Sequence, residues 1–313
     1  MVGSNHLRRA ILVAVLSALV YSVAPAQKLI ESRNRTEEFV GWVQPDKLYW
    51  RPFLISGVAD AEFKLLSFDD TTKARSQITK FPAGWSQASG YYQTNEEIFV
   101  LSGEMTVGDV KMTKYSYAYF PAGNARGPRH SSTGATVLHW WDGEPTFVAS
   151  RESKPDARRD ELVEDWNFYR KPWTKNADFP KWSDFPPSPE MRLKLLRKDK
   201  VTGQMTWINM GAAGGGGGSR GGRVWEAHPS WEEAMLLEGD LTYGECLPGK
   251  GEIVGTYTAG GYFFRPARIR HGGQSSSSSS YSLFIFRSGT PIWADYFDSC
   301  DNSAPAKATG GAQ

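Results

Sequence analysis

The residues best suited to chemistry in this 313-residue chain fall in two short stretches. The first reads Glu226-Ala227-His228-Pro229-Ser230-Trp231-Glu232-Glu233 and ends on Leu237-Glu238-Gly239. The second reads Gly260-Gly261-Tyr262-Phe263-Phe264-Arg265-Pro266-Ala267-Arg268-Ile269-Arg270-His271. Two imidazoles and a carboxylate converging on one point make a facial ligand set suited to Fe(II) or another first-row divalent metal, with positions left open for a substrate or O₂. Even spacing on an extended strand keeps residues on one face, so Glu226, His228 and Glu232 can all point into a barrel if no bulge intervenes, with His271 supplied by a neighbouring strand. Glu226 reads either as a further, harder ligand or as a catalytic acid/base beside the metal. Glu233, adjacent to Glu232, should face away. The plainer alternative makes His228 and His271 ordinary core or surface histidines. Against it, the chain has five histidines and its C-terminal half only these two, both inside these stretches.

Other reaction types find no support. There is no C-x-x-C pair and no H-E-x-x-H run, and the one G-x-S-x-G match, Gly217-Gly218-Ser219-Arg220-Gly221, falls inside a run of glycines and not at a strand-to-helix elbow. The glycine-rich Gly211–Gly222 segment lacks the Lys-Ser/Thr ending of a phosphate loop and reads as a loop insertion.

The elements that must position these groups repeat along the chain. Lys64-Leu65-Leu66 recurs as Lys194-Leu195-Leu196, and Asp69 and Gly84 recur as Asp199 and Gly214, at an offset of 130. Glu96-Glu97 and Gly103 recur as Glu232-Glu233 and Gly239 at 136, and Pro121 recurs as Pro266 at 145. Offsets that grow in steps are what loop insertions between fixed strands produce, so the chain reads as a tandem duplication. Each copy holds short runs rich in Val, Ile, Tyr and Phe, punctuated by Gly or Pro. They include Glu97–Leu101, Tyr115–Phe120 and Thr136–Trp141, then Ala234–Leu237, Glu252–Tyr257, Tyr262–Arg265 and Tyr281–Phe286. That pattern predicts an all-β sandwich or barrel in each copy.

Taken together, the two stretches resemble the signature motifs of the cupin superfamily. The first motif has a His-x-His pair, a Glu four or five residues on and a Gly seven beyond; here Glu232 follows His228 by four and Gly239 follows Glu232 by seven. The second has Gly, five residues, Pro, then His five positions later, matched by Gly260, Pro266 and His271. The resemblance spans roughly residues 60–145 and 190–292 and implies two tandem cupin barrels of the double-stranded β-helix, or jelly-roll, type. It implies metal ligation by His228, Glu232 and His271, with Fe favoured over Mn, Zn or Ni. Glu226 stands where the family has its first His. In the first copy the ligands are lost: Gly90 and Tyr92 fill the His positions and Arg126 replaces the motif-two His, which predicts an internal ion pair with Glu96. His130 reads as a loop residue, and His139 as a packed or hydrogen-bonded core residue. As a whole the chain resembles exported bacterial two-barrel cupins of the anti-sigma-factor-like and dioxygenase-like kinds. That implies a dioxygenase-like enzyme acting on a small oxygenated organic molecule, with a non-catalytic ligand-binding or metal-sensing protein as the alternative. Family habit also allows a homodimer.

Composition and the termini set the context. Hydrophobic and charged contents of 40% and 22% are those of a globular protein. Arg8-Arg9, an apolar run from Ala10 to Ala24 and Ala24-Pro25-Ala26 together read as a secretory signal peptide over residues 1–26, with an uncleaved anchor as the alternative. Its removal would balance 34 basic against 34 acidic residues, leaving no electrostatic footprint for nucleic acid. The mature protein is then expected in the periplasm or secreted, without stable membrane insertion. Export would permit one disulfide between Cys246 and Cys300, the only two cysteines. The expected layout is an N-terminal cupin domain at 40–150, a Pro- and Trp-rich linker at 151–189, a C-terminal cupin domain at 190–298 and a tail at 299–313.

Overall fold

Strand alternation organises the molecule. In Glu96–Gly103, Ile98 and Val100 point into one apolar cluster while Phe99 points into another. In Ser116–Phe120, Ala118 and Phe120 join the first cluster while Tyr117 and Tyr119 join the second. Strands covered on both faces read as unbroken apolar runs, which is why these were visible in the sequence. The structure, a computed structural model, describes residues 33–35, 39–53, 60–174, 191–212, 224–290 and 294–301. The leader, Trp182, most of the glycine-rich segment and the tail beyond residue 301 lie outside the described residues. Among the described residues there is no α-helix, only 3-10 turns at Pro45–Lys47 and Arg159–Glu161.

The first half is built on a seven-stranded antiparallel sheet ordered Val163–Asn167, Ser116–Phe120, Glu96–Gly103, Ala135–Trp141, Arg75–Phe81, Glu62–Phe68, Arg51–Pro52. Across the cluster that contains Trp85, Val107 and Trp141 lie a four-stranded sheet and the Gly90–Tyr92/Phe147–Ala149 pair. The second half repeats the plan. Its six-stranded sheet runs Val40–Val43, Tyr262–Arg265, Glu232–Glu238, Tyr281–Ser288, Met205–Ala212, Met191–Lys198. Its five-stranded sheet runs Gly251–Thr258, Asp240–Leu247, Arg270–Ser276, Val224–Ala227, Asp295–Phe297. Ala234, Leu236, Phe263 and Phe284 of one sheet pack on Tyr243 and Tyr257 of the other.

The large sheets of the two halves meet through their outer faces. Their shared cluster contains Leu66 and Leu196, Ile78 and Ile208, Phe99 and Met235, and Tyr117 and Tyr262. Polar groups cross the same junction in matching fashion. Thr206 Oγ1 donates to Glu97 (2.6 Å) as Ser76 Oγ donates to Glu233 (2.5 Å). Tyr117 and Tyr262 hydroxyls donate to the same two carboxylates at 2.7 and 2.6 Å. Arg287 reaches both, Nε to Glu97 at 2.9 Å and Nη1 to Glu233 at 2.7 Å. Glu233 does face away from Glu232, into this buried junction rather than into water. From Arg33 onward the chain forms one compact unit.

Sheet membership cuts across the boundaries read from sequence. Val40–Val43, assigned to the first domain, pairs with Tyr262–Arg265 of the second half. Val163–Asn167, assigned to the linker, is an edge strand of the first half. Edge pairing by the segment preceding each half satisfies backbone groups that a sheet edge would leave open. Cys246 and Cys300 are bonded, with Cα atoms 5.4 Å apart, which fastens the chain after Asp295–Phe297 to the Asp240–Leu247 strand.

Candidate metal centre

Glu226 lies on Val224–Ala227 directly opposite His271 of Arg270–Ser276, and His271 is in turn opposite Glu245 of Asp240–Leu247. Residues directly opposite across a sheet project to the same face, so the five-stranded sheet presents a row of carboxylate, imidazole and carboxylate. Facing this row, the six-stranded sheet sets Glu232 directly opposite Arg265.

Three side chains of this interior converge. Each of Glu226, His228 and His271 offers a ligand atom, and these atoms lie within 4.8 Å of one another, all on buried residues. His271 Nε2 is 3.4 Å from Glu226 Oε1, and the two imidazole rings are 5.1 Å apart. A separation of 3.4 Å matches two ligands bound at about 2.1 Å in tetrahedral geometry. His271 Nδ1 lies 3.0 Å from the Ile269 carbonyl. The carbonyl can only accept, so Nδ1 donates to it and Nε2 is the nitrogen that faces Glu226. The residues present therefore fit a first-row metal: two nitrogens and a carboxylate oxygen, with one ring oriented so that its Nε2, once relieved of any proton shared with Glu226, can ligate.

Glu232 is placed differently. Its Oε2 is 4.0 Å from His271 Nε2, and the carboxylate accepts from Arg265 Nη1. Arg265 also donates from Nε and Nη2 to the two oxygens of Glu245, at 3.0 and 2.6 Å. All four site carboxylates and imidazoles named from sequence thus reach one interior, but three form the close group and the fourth is shared with a guanidinium. The expectation that Glu226, His228 and Glu232 ride one strand is corrected. Pro229 offers no N–H to continue the ladder, the chain bends at Pro229–Ser230, and Glu232 opens the next strand in the opposite sheet. A backbone bond from Arg268 N–H to the His228 carbonyl (2.8 Å) holds this corner.

Electrostatics follow from burial. Desolvation works to raise the Glu226 pKa, but the hydrogen bond and charge of His271, with His228 and Arg265 behind it, hold it below the ordinary carboxylate value. Burial likewise opposes the charge on Arg265, and Glu245 and Glu232 more than offset it, keeping the guanidinium pKa above its usual value. Tyr243 donates to Glu226 Oε1 at 3.4 Å. Burial, then the Glu226 charge, pushes its phenol well up, so it stays a donor.

Arg265, Glu245 and Tyr243 were not singled out from sequence. One signal was present: an arginine ending the apolar run Tyr262-Phe263-Phe264 on a buried strand needs a carboxylate partner.

In the first half the equivalent interior is closed by charge. Gly90 bridges Arg126 as Glu226 pairs with His271. Arg126 Nη2 lies 2.9 Å from Glu96 Oε2, as the sequence suggested. Arg129 adds a bidentate contact (3.0 and 2.5 Å), and His139 Nε2 lies 2.6 Å from Glu96. His139 is the buried, hydrogen-bonded residue expected, its ring centroid 3.6 Å from that of Trp141 with the planes tilted by 32°. His130 is exposed but lies within the Arg129–Ser131 strand, not a loop.

Solved structures share this architecture. A "putative dioxygenase" of Nostoc punctiforme superposes with a TM-score of 0.61 at 21% identity, covering 80% of this chain and 81% of that one. Protein Ylba of E. coli, of family-model DUF861, gives 0.52 at 16% identity over 84% and 96%. Vicilin of hazelnut, Corylus avellana, gives 0.52 at 11% over 82% and 87%. At these identities the likeness is one of fold, and it is the all-β cupin-type jelly-roll fold that the motifs implied. No curated protein matches the sequence. Residues 45–290 match the family model described as "Domain of unknown function (DUF4437)", and the chain belongs to that family.

Proposed function

We propose that the second half is a metal-dependent enzymatic centre of the cupin type, dioxygenase-like, acting on a small oxygenated organic molecule. The observation that carries this reading is the buried convergence of Glu226, His228 and His271 within 4.8 Å. In it, these three residues hold a divalent first-row metal, Fe favoured over Mn, Zn or Ni, and Glu226 serves as the carboxylate ligand rather than as a free acid/base. Glu232 is the reserve ligand, released to the metal when Arg265 rests on Glu245 alone. Bound there, the metal would supply Lewis-acid activation of substrate or O₂. The protein's own residues do the rest: His271 is oriented by the Ile269 carbonyl, Tyr243 steadies Glu226, and the buried aromatic lining excludes water. The fold shared with a structure described as a dioxygenase supports the choice of reaction.

We read the two halves as a tandem duplication, a bicupin whose first copy has given up metal ligation. We also place the mature protein outside the cytoplasm, in the periplasm or secreted. The leader-like residues 1–26 and the Cys246–Cys300 bond support that location.

Elemental analysis tests the metal centre. The purified protein should carry near-stoichiometric transition metal, His228→Ala and His271→Ala should each abolish it, and unchanged metal in both would sink the reading. Oxygen consumption with diketones or phenolics then probes the reaction. A second reading, a metal-sensing or ligand-binding protein without turnover, is favoured by the contact of Glu232 with Arg265, which competes with ligation. It is selected if the loaded protein binds such compounds and consumes no oxygen.

A further inference from the structure

The first half holds an arrangement that the metal reading does not use. Arg126 and Arg129 are both buried at their guanidinium ends, with side-chain exposures of 2% and 1%, and both converge on the single carboxylate of Glu96. Arg129 takes that carboxylate in the bidentate manner. The Nη2 of Arg126 is near Glu96 but not aligned to donate, so among the described residues none of its three nitrogens has a hydrogen-bond acceptor, and Arg129 Nε has none either. His139 cannot balance the count in either direction: burial, against its bond to Glu96, pushes its pKa down to about 4, leaving it neutral at pH 7. The Arg126 guanidinium itself is pushed down to about 10 by burial and by the charge of Arg129, which Glu96 does not offset. Two cations therefore face one anion in a water-poor interior, where an uncompensated charge is costly. The guanidinium carbon of Arg126 lies 4.8 Å from the Tyr92 ring and 4.9 Å from the Phe120 ring, so its free donors sit among aromatic faces.

We propose that this interior is a binding site for a small organic carboxylate, held in the fork of Arg126 with its apolar part against Tyr92 and Phe120. A planar guanidinium with unused donors matches a carboxylate in both charge and shape. The ligand's single negative charge would equalise the two arginines against Glu96 plus ligand. The site is independent of the metal centre, because no residue is shared between them.

Thermal melts of the full chain test it, with sodium acetate and sodium benzoate as probes and sodium chloride and sodium phosphate as controls at equal ionic strength. Either carboxylate, taken to about 100 mM, two decades above a millimolar Kd, should raise the Tm progressively. Arg126→Met should abolish that rise while melting at or above the parent in carboxylate-free buffer, since Arg129 and Glu96 remain paired. Its metal content should be unchanged. Arg126→Lys keeps the charge but loses the fork, and should raise the half-maximal concentration on the order of tenfold; this variant carries the test if the methionine variant does not fold. The proposal is overturned if chloride gives the same rise, if phosphate alone acts, if neither carboxylate acts on the parent, or if the response persists in Arg126→Met, which would assign it to the second half.

Discussion

The two halves use one framework to opposite electrostatic ends. In the first, Glu96 pairs across its strand with Phe120, and the arginines arrive from Arg126 and Arg129, so one carboxylate faces two guanidiniums. In the second, the Phe120 position is Arg265, the Arg126 position is His271, and the Gly90 position is Glu226, so one guanidinium faces Glu232, Glu245 and Glu226. The backbone pairings hardly differ; what differs is which side chains hang from them. A few different side chains on similar sheet pairs are enough to change an interior with more guanidinium than carboxylate into one with more carboxylate than guanidinium.

The largest effect that sharpens this contrast is on stability. Glu96→Gln strips both buried arginines of their shared anion and should cost about 3–5 kcal/mol. Glu232→Gln removes only one of two carboxylates from Arg265, which keeps both bonds to Glu245, and should cost about 1–2 kcal/mol in metal-stripped protein. Urea unfolding at pH 7 measures both. Equal costs would mean that the two interiors are not electrostatic opposites.

Acid should weaken the first half through His139. Its folded pKa of about 4 lies below the ordinary value of 6.5, so between those pH values the unfolded chain binds the proton and the folded chain does not. Stability must then fall as pH drops through that window, by about 2 kcal/mol from pH 7 to pH 5. The carboxylates of the neighbouring Glu96–Gly103 strand act later: with burial outweighed by Arg287 and Arg197, Glu97 is held down to about 2 from the ordinary 4.5, so its contribution is intact above that ordinary value and is lost as the pH falls from there to about 2. Replacing His139 by Gln should flatten the decline between pH 7 and pH 5. A decline of unchanged size would remove His139 as its source.

How much of this was readable in advance depends on what each residue answers to. The strands were legible because alternating burial on two faces leaves unbroken Val, Ile, Tyr and Phe runs, and the observed Glu96–Gly103, Ala135–Trp141 and Tyr281–Ser288 enclose the expected ones. Glu226, His228 and His271 were legible because their spacing is fixed by two strands and a corner. The attachment of Glu232 to Arg265 was not, since it depends on a third carboxylate, Glu245, from a strand whose register no local pattern sets. The junction of the halves was half-legible. Each Glu-Glu pair must place one residue on each face, yet only the structure shows that Glu97 and Glu233 meet Arg287 there.

The smallest effect separates the halves most finely. Tyr92 and Tyr243 are both buried tyrosines whose hydroxyls take part in one 3.4 Å hydrogen bond, Tyr92 accepting from Gln87 and Tyr243 donating to Glu226. If only the second interior holds a metal, only Tyr243 can influence it. Tyr243→Phe loosens the orientation of Glu226 and should weaken metal binding a few-fold, roughly 1 kcal/mol, less than a short, well-aligned outer partner would give because 3.4 Å is long for an O–H···O bond. Tyr92→Phe should leave the metal dissociation constant where it was. Competition titrations with a chelator resolve such differences. Equal shifts from both substitutions would show that the affinity responds to general packing and not to the carboxylate that Tyr243 holds.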